Sequence, residues 1–307
     1  MTIPVETVNV QFMNQSFIDK IDQGLVKEAG AAMSAFVRQK LRETGFTRKI
    51  LTPQMITASD LDRGLDDQPR VIIEKEPDST AATMSLSGQP TVRYFKGARY
   101  EVPFYKIQSE RFTKSKFELA TYRTDIRNIL QENSVKDVQK QEDENFFAGL
   151  KAIQENVRGQ AILSTTGDRV TDRVMGLIQT LVKDHQKPGK ILMSHALYLQ
   201  MLREPATQLG DAVAAKHFNT GSMDSFYGFE IITTIKGDIL SSVEGQNLGD
   251  VVAVFAPEEY LGQFYSLQEP TVFLKAEADM IEFQIYESIG IGIGNAKGFV
   301  LGKVDLA

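Results

Sequence analysis

Three histidines, His185, His195 and His217, are the only imidazoles this chain offers for acid–base or metal chemistry. None stands in HExxH or a comparable ligand spacing, so no zinc site is expected. The chain has no cysteine, which excludes thiol nucleophiles, disulfides and cysteine-ligated zinc. No GxSxG elbow and no GxxxxGK[ST] loop occurs. The run Gly290-Ile291-Gly292-Ile293-Gly294-Asn295 invites comparison with a dinucleotide-binding loop. That motif needs its third glycine where Asn295 stands, and a βαβ unit after it, whereas only thirteen residues follow Gly294. A strand whose glycine face lets another backbone approach closely is the better reading. The carboxylates Glu142, Asp143 and Glu144 read as the solvated side of a helix. No catalytic residue, cofactor or metal is expected, and the protein is read as a non-enzyme.

If the residues do no chemistry, the elements must explain them. Phe17, Ile18, Ile21, Leu25, Ala29, Met33, Phe36 and Val37 recur at helical spacing, with a break at Thr44-Gly45. This leading arm has too little apolar surface to fold alone and must lie on something. Val71-Ile72-Ile73 is a short strand, and residues 76–90 form a small-residue tip. Val92, Tyr94, Ala98, Tyr100, Val102 and Phe104 then fall on even positions, the period of a strand with one apolar face. Together these predict a two-stranded ribbon, which is marginal in water without a partner. Residues 117–157 predict one long helix, kinked near Asn133-Ser134. Beyond it, helix and strand alternate from about 160 to 271. Thr171 and Ser194 are candidate helix caps, and strands are expected at Ile191–Met193, Phe229–Thr233 and Val251–Phe255. The end of the chain is strand-rich, alternating through Ile281, Phe283, Ile285, Ile289, Ile291 and Ile293.

Composition narrows the class further. At 307 residues, 42% hydrophobic and 24% charged, the chain is an ordinary globular protein. It has no apolar stretch of the ~20 residues needed to span a bilayer and no signal-peptide pattern, so assembly in the cytoplasm is expected. A net charge of -6 argues against a dedicated nucleic-acid binder. The charge is uneven. Residues 93–127 carry nine Lys/Arg against four Asp/Glu, and residues 237–307 carry three Lys against eleven Asp/Glu. Either these are two solvated faces, or the basic segment of one copy meets the acidic surface of another.

The order of parts resembles the major capsid proteins of tailed bacteriophages, with their Hong Kong 97-like α+β fold. LATYRTDIRNILQENSVKDVQKQEDENFFAGL (119–150) resembles the family's spine helix, and KILMSHALYLQMLRE (190–204) the strand–helix pair of its axial domain. FYGFEIITT (226–234) resembles its glycine-led strand, and IYESIGIGIGNAKGFVLGKV (285–304) its closing strands. The resemblance implies an N-terminal arm (1–58) and an extended loop over a neighbouring subunit (59–112). It implies a peripheral domain with the spine helix (113–160 and 272–307) and an inserted α/β axial domain (161–271).

By the same resemblance, the chain would self-assemble into hexamers and pentamers of an icosahedral head shell, enclosing double-stranded DNA without sequence specificity. It would meet a portal protein, a separate scaffolding protein and a decoration protein. The family's Lys–Asn crosslink has regional candidates only in Lys96 and Asn295. An encapsulin-like compartment shell, a soluble α/β enzyme and another phage structural protein, such as a tail or baseplate subunit, are the alternatives. Candidate inter-subunit contacts are Arg93, Arg99, Arg111, Lys114 and Lys116, with apolar Phe12, Phe17, Met84 and Leu86. Reversing Arg99 and Arg111 to Glu is expected to impair particle formation while leaving a folded soluble subunit, as read by electron microscopy and circular dichroism; undiminished particle yield would refute the pairing.

Overall fold

The computed structural model of the chain describes residues 10–63, 68–74, 97–121, 129–157, 162–165, 169–184, 186–203 and 224–304, with positions 83, 84, 86, 88, 94, 159 and 167. Within them, segments of helical period become helices and segments of period two become strands. The arm forms α1 (Val10–Asp22) and α2 (Val26–Thr44), turning at Gly24, whose φ of +77° suits a residue without Cβ. Phe17, Ile18, Ile21, Ala29, Met33, Val37 and Leu41 all point inward. The surface the arm needs is supplied by its own chain. The Ser34 hydroxyl accepts from the Val272 amide (2.9 Å), Arg38 Nε donates to the Pro270 carbonyl (3.1 Å), and Asn14 Nδ2 donates to the Leu119 carbonyl (3.0 Å). After the break at Gly45 come a single turn, α3 (Thr47–Ile50), and a short strand, β1 (Pro53–Met55).

The ribbon is a sheet of its own. It consists of β2 (Asp62–Arg63), β3 (Pro69–Glu74) and β4 (Arg99–Pro103), with Val71 opposite Val102 and Ile73 opposite Tyr100. Most of its expected tip, and the start of its second strand at Val92, lie outside the described residues. The chain continues through β5 (Tyr105–Gln108) and β6 (Phe112–Ser115) into α4 (Lys116–Thr121). A π-helical turn over Leu130–Val135 then runs into α5 (Lys136–Asn156). That turn contains Asn133 and Ser134, where the kink is expected, and such turns are a recognised source of helix bends. Residues 122–128, which would join the two helical pieces, lie outside the described residues.

Beyond α5 stand β7 (Leu163–Ser164), α6 (Val170–Lys183), β8 (Lys190–Ser194) and α7 (His195–Leu202). They are followed by β9 (Ser225–Phe226), β10 (Phe229–Thr234), β11 (Val251–Phe255) and α8 (Glu258–Leu261). The chain closes with the long antiparallel pair β12 (Gln263–Glu277) and β13 (Met280–Gly292), and with β14 (Phe299–Lys303). The alternating runs Ile281–Ile285 and Ile289–Ile291 are one continuous strand. One sheet is built on this pair: β1 lies on the free edge of β12, and β5 and β6 on that of β13.

A second sheet runs β7-β14-β11-β8-β10-β9. All five residues of β11 are buried. Val252 and Val254 join the core under α6, and Val251, Ala253 and Phe255 join the larger core that includes α5. Burial on both faces explains why this strand reads as an uninterrupted apolar run.

Three sequence-drawn details differ in the structure. The boundary between 271 and 272 falls inside β12, and β14 sits in the second sheet, beside β11, rather than with β13. Hydrogen bonding, which sequence pattern does not encode, assigns that strand. Ser194 caps α7 as expected, its hydroxyl accepting from the Leu197 amide (3.3 Å), but Thr171 lies within α6, whose N-cap is Arg169. The spine is also stitched to the second sheet. Gln154 Nε2 donates to the Leu301 carbonyl (3.0 Å) and its Oε1 accepts from the Leu301 amide (2.9 Å), so a side chain imitates a neighbouring strand. Gln154→Leu leaves both backbone groups buried and unpaired; the expected loss is about 2 kcal/mol or more in denaturant unfolding.

Candidate assembly surfaces and their ionic anchor

The basic residues proposed for neighbours are partly engaged at home. Arg99 Nε donates to Glu74 Oε2 (3.1 Å) across the ribbon. Arg111 lies 3.7 Å from Glu282 and over the Phe273 ring (5.6 Å). Lys114 lies 3.6 Å from Glu118, one helical turn on, and Lys116 lies 2.6 Å from Asp22. Every one of these pairs has at least one member more than 40% exposed, so each contributes about 0–1 kcal/mol. Arg93, the side chain of Phe12, and Lys96 lie outside the described residues.

Phe17 corrects the expectation made for it. It is buried within its own subunit, 6.5 Å from the Phe283 ring, because the helix face that carries it closes on β13. Met84 and Leu86, at the ribbon tip, are exposed, as is Tyr94. Asn295 is committed to local structure: its amide donates to the Tyr260 carbonyl (3.0 Å), and its Oδ1 caps the turn at Lys297 (3.1 Å).

Sequence reading missed the strongest polar feature. Glu142 and Asp143 are buried, not solvated. Arg48 Nε donates to both oxygens of Glu142 (3.1 and 3.0 Å), and Nη2 donates to Glu287 Oε2 (2.6 Å). Beside them Asp143 Oδ1 accepts from the amide and hydroxyl of Thr47 (3.1 and 2.8 Å), while Lys236 stands 3.3 Å from its Oδ2. Four elements converge here: α3, α5, β13 and the loop after β10. Three acids face two bases in a largely buried site, where an unbalanced charge is expensive. Burial pushes the Glu142 carboxyl from 4.5 up to about 8, with Arg48 opposing and Glu287 and Asp143 adding to the shift. Burial likewise raises Glu287 and Asp143. The only sequence signal for this site was a triplet of acids within an amphipathic helix, since both bases lie far away in the chain.

No protein-family model matches the sequence, and no curated protein matches it. Solved structures do. The capsid structure of Cyanophage P-SCSP1u aligns at a TM-score of 0.56 with 11% identity, covering 86% of this chain and 89% of that one. A structure from Mycobacterium phage Adephagia aligns at 0.55 with 12% identity, over 86% and 91%. The asymmetric unit of the bacteriophage PhiM1 mature capsid aligns at 0.54 with 8% identity, over 82% and 85%. The chain shares its fold with phage capsid structures.

In this capsid fold the ionic cluster ties the arm to both sheets, and its titration is measurable. Glu142 holds its proton to higher pH when folded than when unfolded. Its stabilising contribution is therefore complete below 4.5 and is lost as pH rises through about 8. Denaturant midpoints are expected to fall across that interval and to fall less in Glu142→Gln; a flat wild-type profile would contradict the buried proton.

Proposed function

We propose that this chain is the major capsid protein of a tailed phage, a non-enzymatic subunit whose activity is self-assembly. The observation that carries the proposal is a fold shared with phage capsid structures over 86% of the chain. The ribbon strengthens it. A separate three-stranded sheet with Ile72 exposed, and with Met84, Leu86 and Tyr94 exposed in the segment between β3 and β4, is poorly satisfied on one subunit and is suited to lying on a second copy. Exposed ion pairs at Arg99 and Arg111 provide exchangeable partners along the same segment.

On this reading subunits gather into hexamers and pentamers, and these close into an icosahedral shell. Interfaces of this obligate kind bury well over ~1,600 Å² each, and many modest contacts add into a stable particle through multivalency. A separate scaffolding protein would guide closure in the host cytoplasm. A portal protein would occupy one vertex, and a decoration protein could cover the outside. The enclosed double-stranded DNA is held by confinement, so a net charge of -6 is no obstacle. No helix among the described residues is long and apolar enough to cross a membrane.

The test is negative-stain electron microscopy with size-exclusion chromatography on the expressed chain. Closed shells, or rings of five and six, are the expected result. A monomer that stays monomeric even beside a co-expressed scaffolding protein overturns the proposal.

A further inference from the structure

The glycine run at the end of β13 meets the root of the ribbon. β5 pairs with β13 in a regular antiparallel register, Gln108 with Tyr286 through Tyr105 with Ile289. Continued by the same count, that register sets Phe104, Val102 and Tyr100 opposite Gly290, Gly292 and Gly294. The side chains are found there, but the ladder is not: from Phe104 onward the strand leaves β13 and hydrogen-bonds with β3. Pro103 has no amide hydrogen to offer a ladder. The ribbon strand therefore lifts off the sheet while staying in step with it, and each even residue seats over a glycine.

The fit leaves no room for side chains on the β13 side. A Cβ at Gly294 would lie 2.6 Å from the Tyr100 hydroxyl oxygen, and one at Gly290 would lie 3.1 Å from the Phe104 ring and the Pro103 carbonyl oxygen. A Cβ at Gly292 would overlap Val102 Cγ2, and its nearest neighbours are all atoms of Val102. Val102 is fully buried in this seat, and Phe104 rests against Tyr265 (6.5 Å between rings) on the adjoining strand. Since none of the paired residues of β4 bonds to β13, side-chain packing in these notches sets the angle at which the ribbon leaves the subunit.

We infer that Gly290, Gly292 and Gly294, with Tyr100, Val102 and Phe104, are the positioning residues of the ribbon: the glycine track fixes the ribbon's take-off angle and through it the subunit's competence to join a shell. The assembly half of this inference rests on the capsid reading; the angle does not. Gly292→Ala forces Val102 out of its notch. Trimming the partner restores space, because with Val102→Ala the nearest atom to the new Cβ is the Cβ of residue 102, at 3.4 Å, an ordinary contact.

The chain has no cysteine, so paired spin labels can be placed at Ile72→Cys on the ribbon and Gln268→Cys on β12, both exposed positions. In soluble subunits, double electron–electron resonance is expected to show a shifted distance distribution in Gly292→Ala. The shift should return to the wild-type position in Gly292→Ala/Val102→Ala. Without labels, Gly292→Ala should yield on the order of tenfold fewer particles, because a small misfit repeats at every subunit, and the double variant should recover them. An unshifted distance in Gly292→Ala, or a double variant that recovers neither distance nor particles, overturns the inference. Wild-type protein that forms no particles sinks the capsid reading alone, while the distance measurement still decides the track.

Discussion

The fold depends on how a buried guanidinium is satisfied. Arg48 comes from the arm, yet its hydrogen bonds end on the spine helix at Glu142 and on the long strand β13 at Glu287. Next to it Asp143 anchors Thr47 of the same turn and meets Lys236 from the loop after β10. Desolvating such groups is unfavourable unless every partner is in place. A shifted arm or a rotated helix would leave a charge stranded. The cluster thus contributes geometry more than free energy: it permits one relative placement of arm, spine and the two sheets.

How much of this the sequence discloses follows from the range over which each signal acts. Alternation and helical period are local, and they place β8, β10 and β11 within a residue or two; they place the end of α2 at Thr44 but run through the turn at Gly24 that separates it from α1. Ser194 announces its cap because the cap acts three residues away. Strand partners are not local, so nothing in the run Phe299–Lys303 reveals that it pairs with Val251–Phe255 instead of the nearer β13. Glu142 and Asp143 were misread for the same reason. An acid on a helix is a solvated acid unless a base arrives from elsewhere, and the bases here arrive from residues 48 and 236. Phe17 erred the other way: its apolar face was visible, but its cover proved to be its own sheet.

The glycine-alternating segment was legible in part. Its failure to match a nucleotide-binding loop follows from spacing alone, as does the expectation that another backbone approaches it closely. The identity of that backbone required the structure. The even-numbered residues of β4 and the even-numbered glycines of β13 share a period of two, and the match has meaning only once β5 has set the register between them.

Among the described residues, the strand β13 touches more elements than any other. It is hydrogen-bonded to β12 along one edge and to β6 and β5 along the other, it holds Glu287 for the cluster, and it ends in the ribbon's seat. Its thirteen residues span about 40 Å at ~3.3 Å each. An extended strand already near its full length cannot stretch, so it behaves as a tie rod. Force applied at the hairpin end near Met280 arrives at the ribbon root with little loss. Loads applied at those opposite ends are coupled in series, and tension between them runs through the strand rather than through loops.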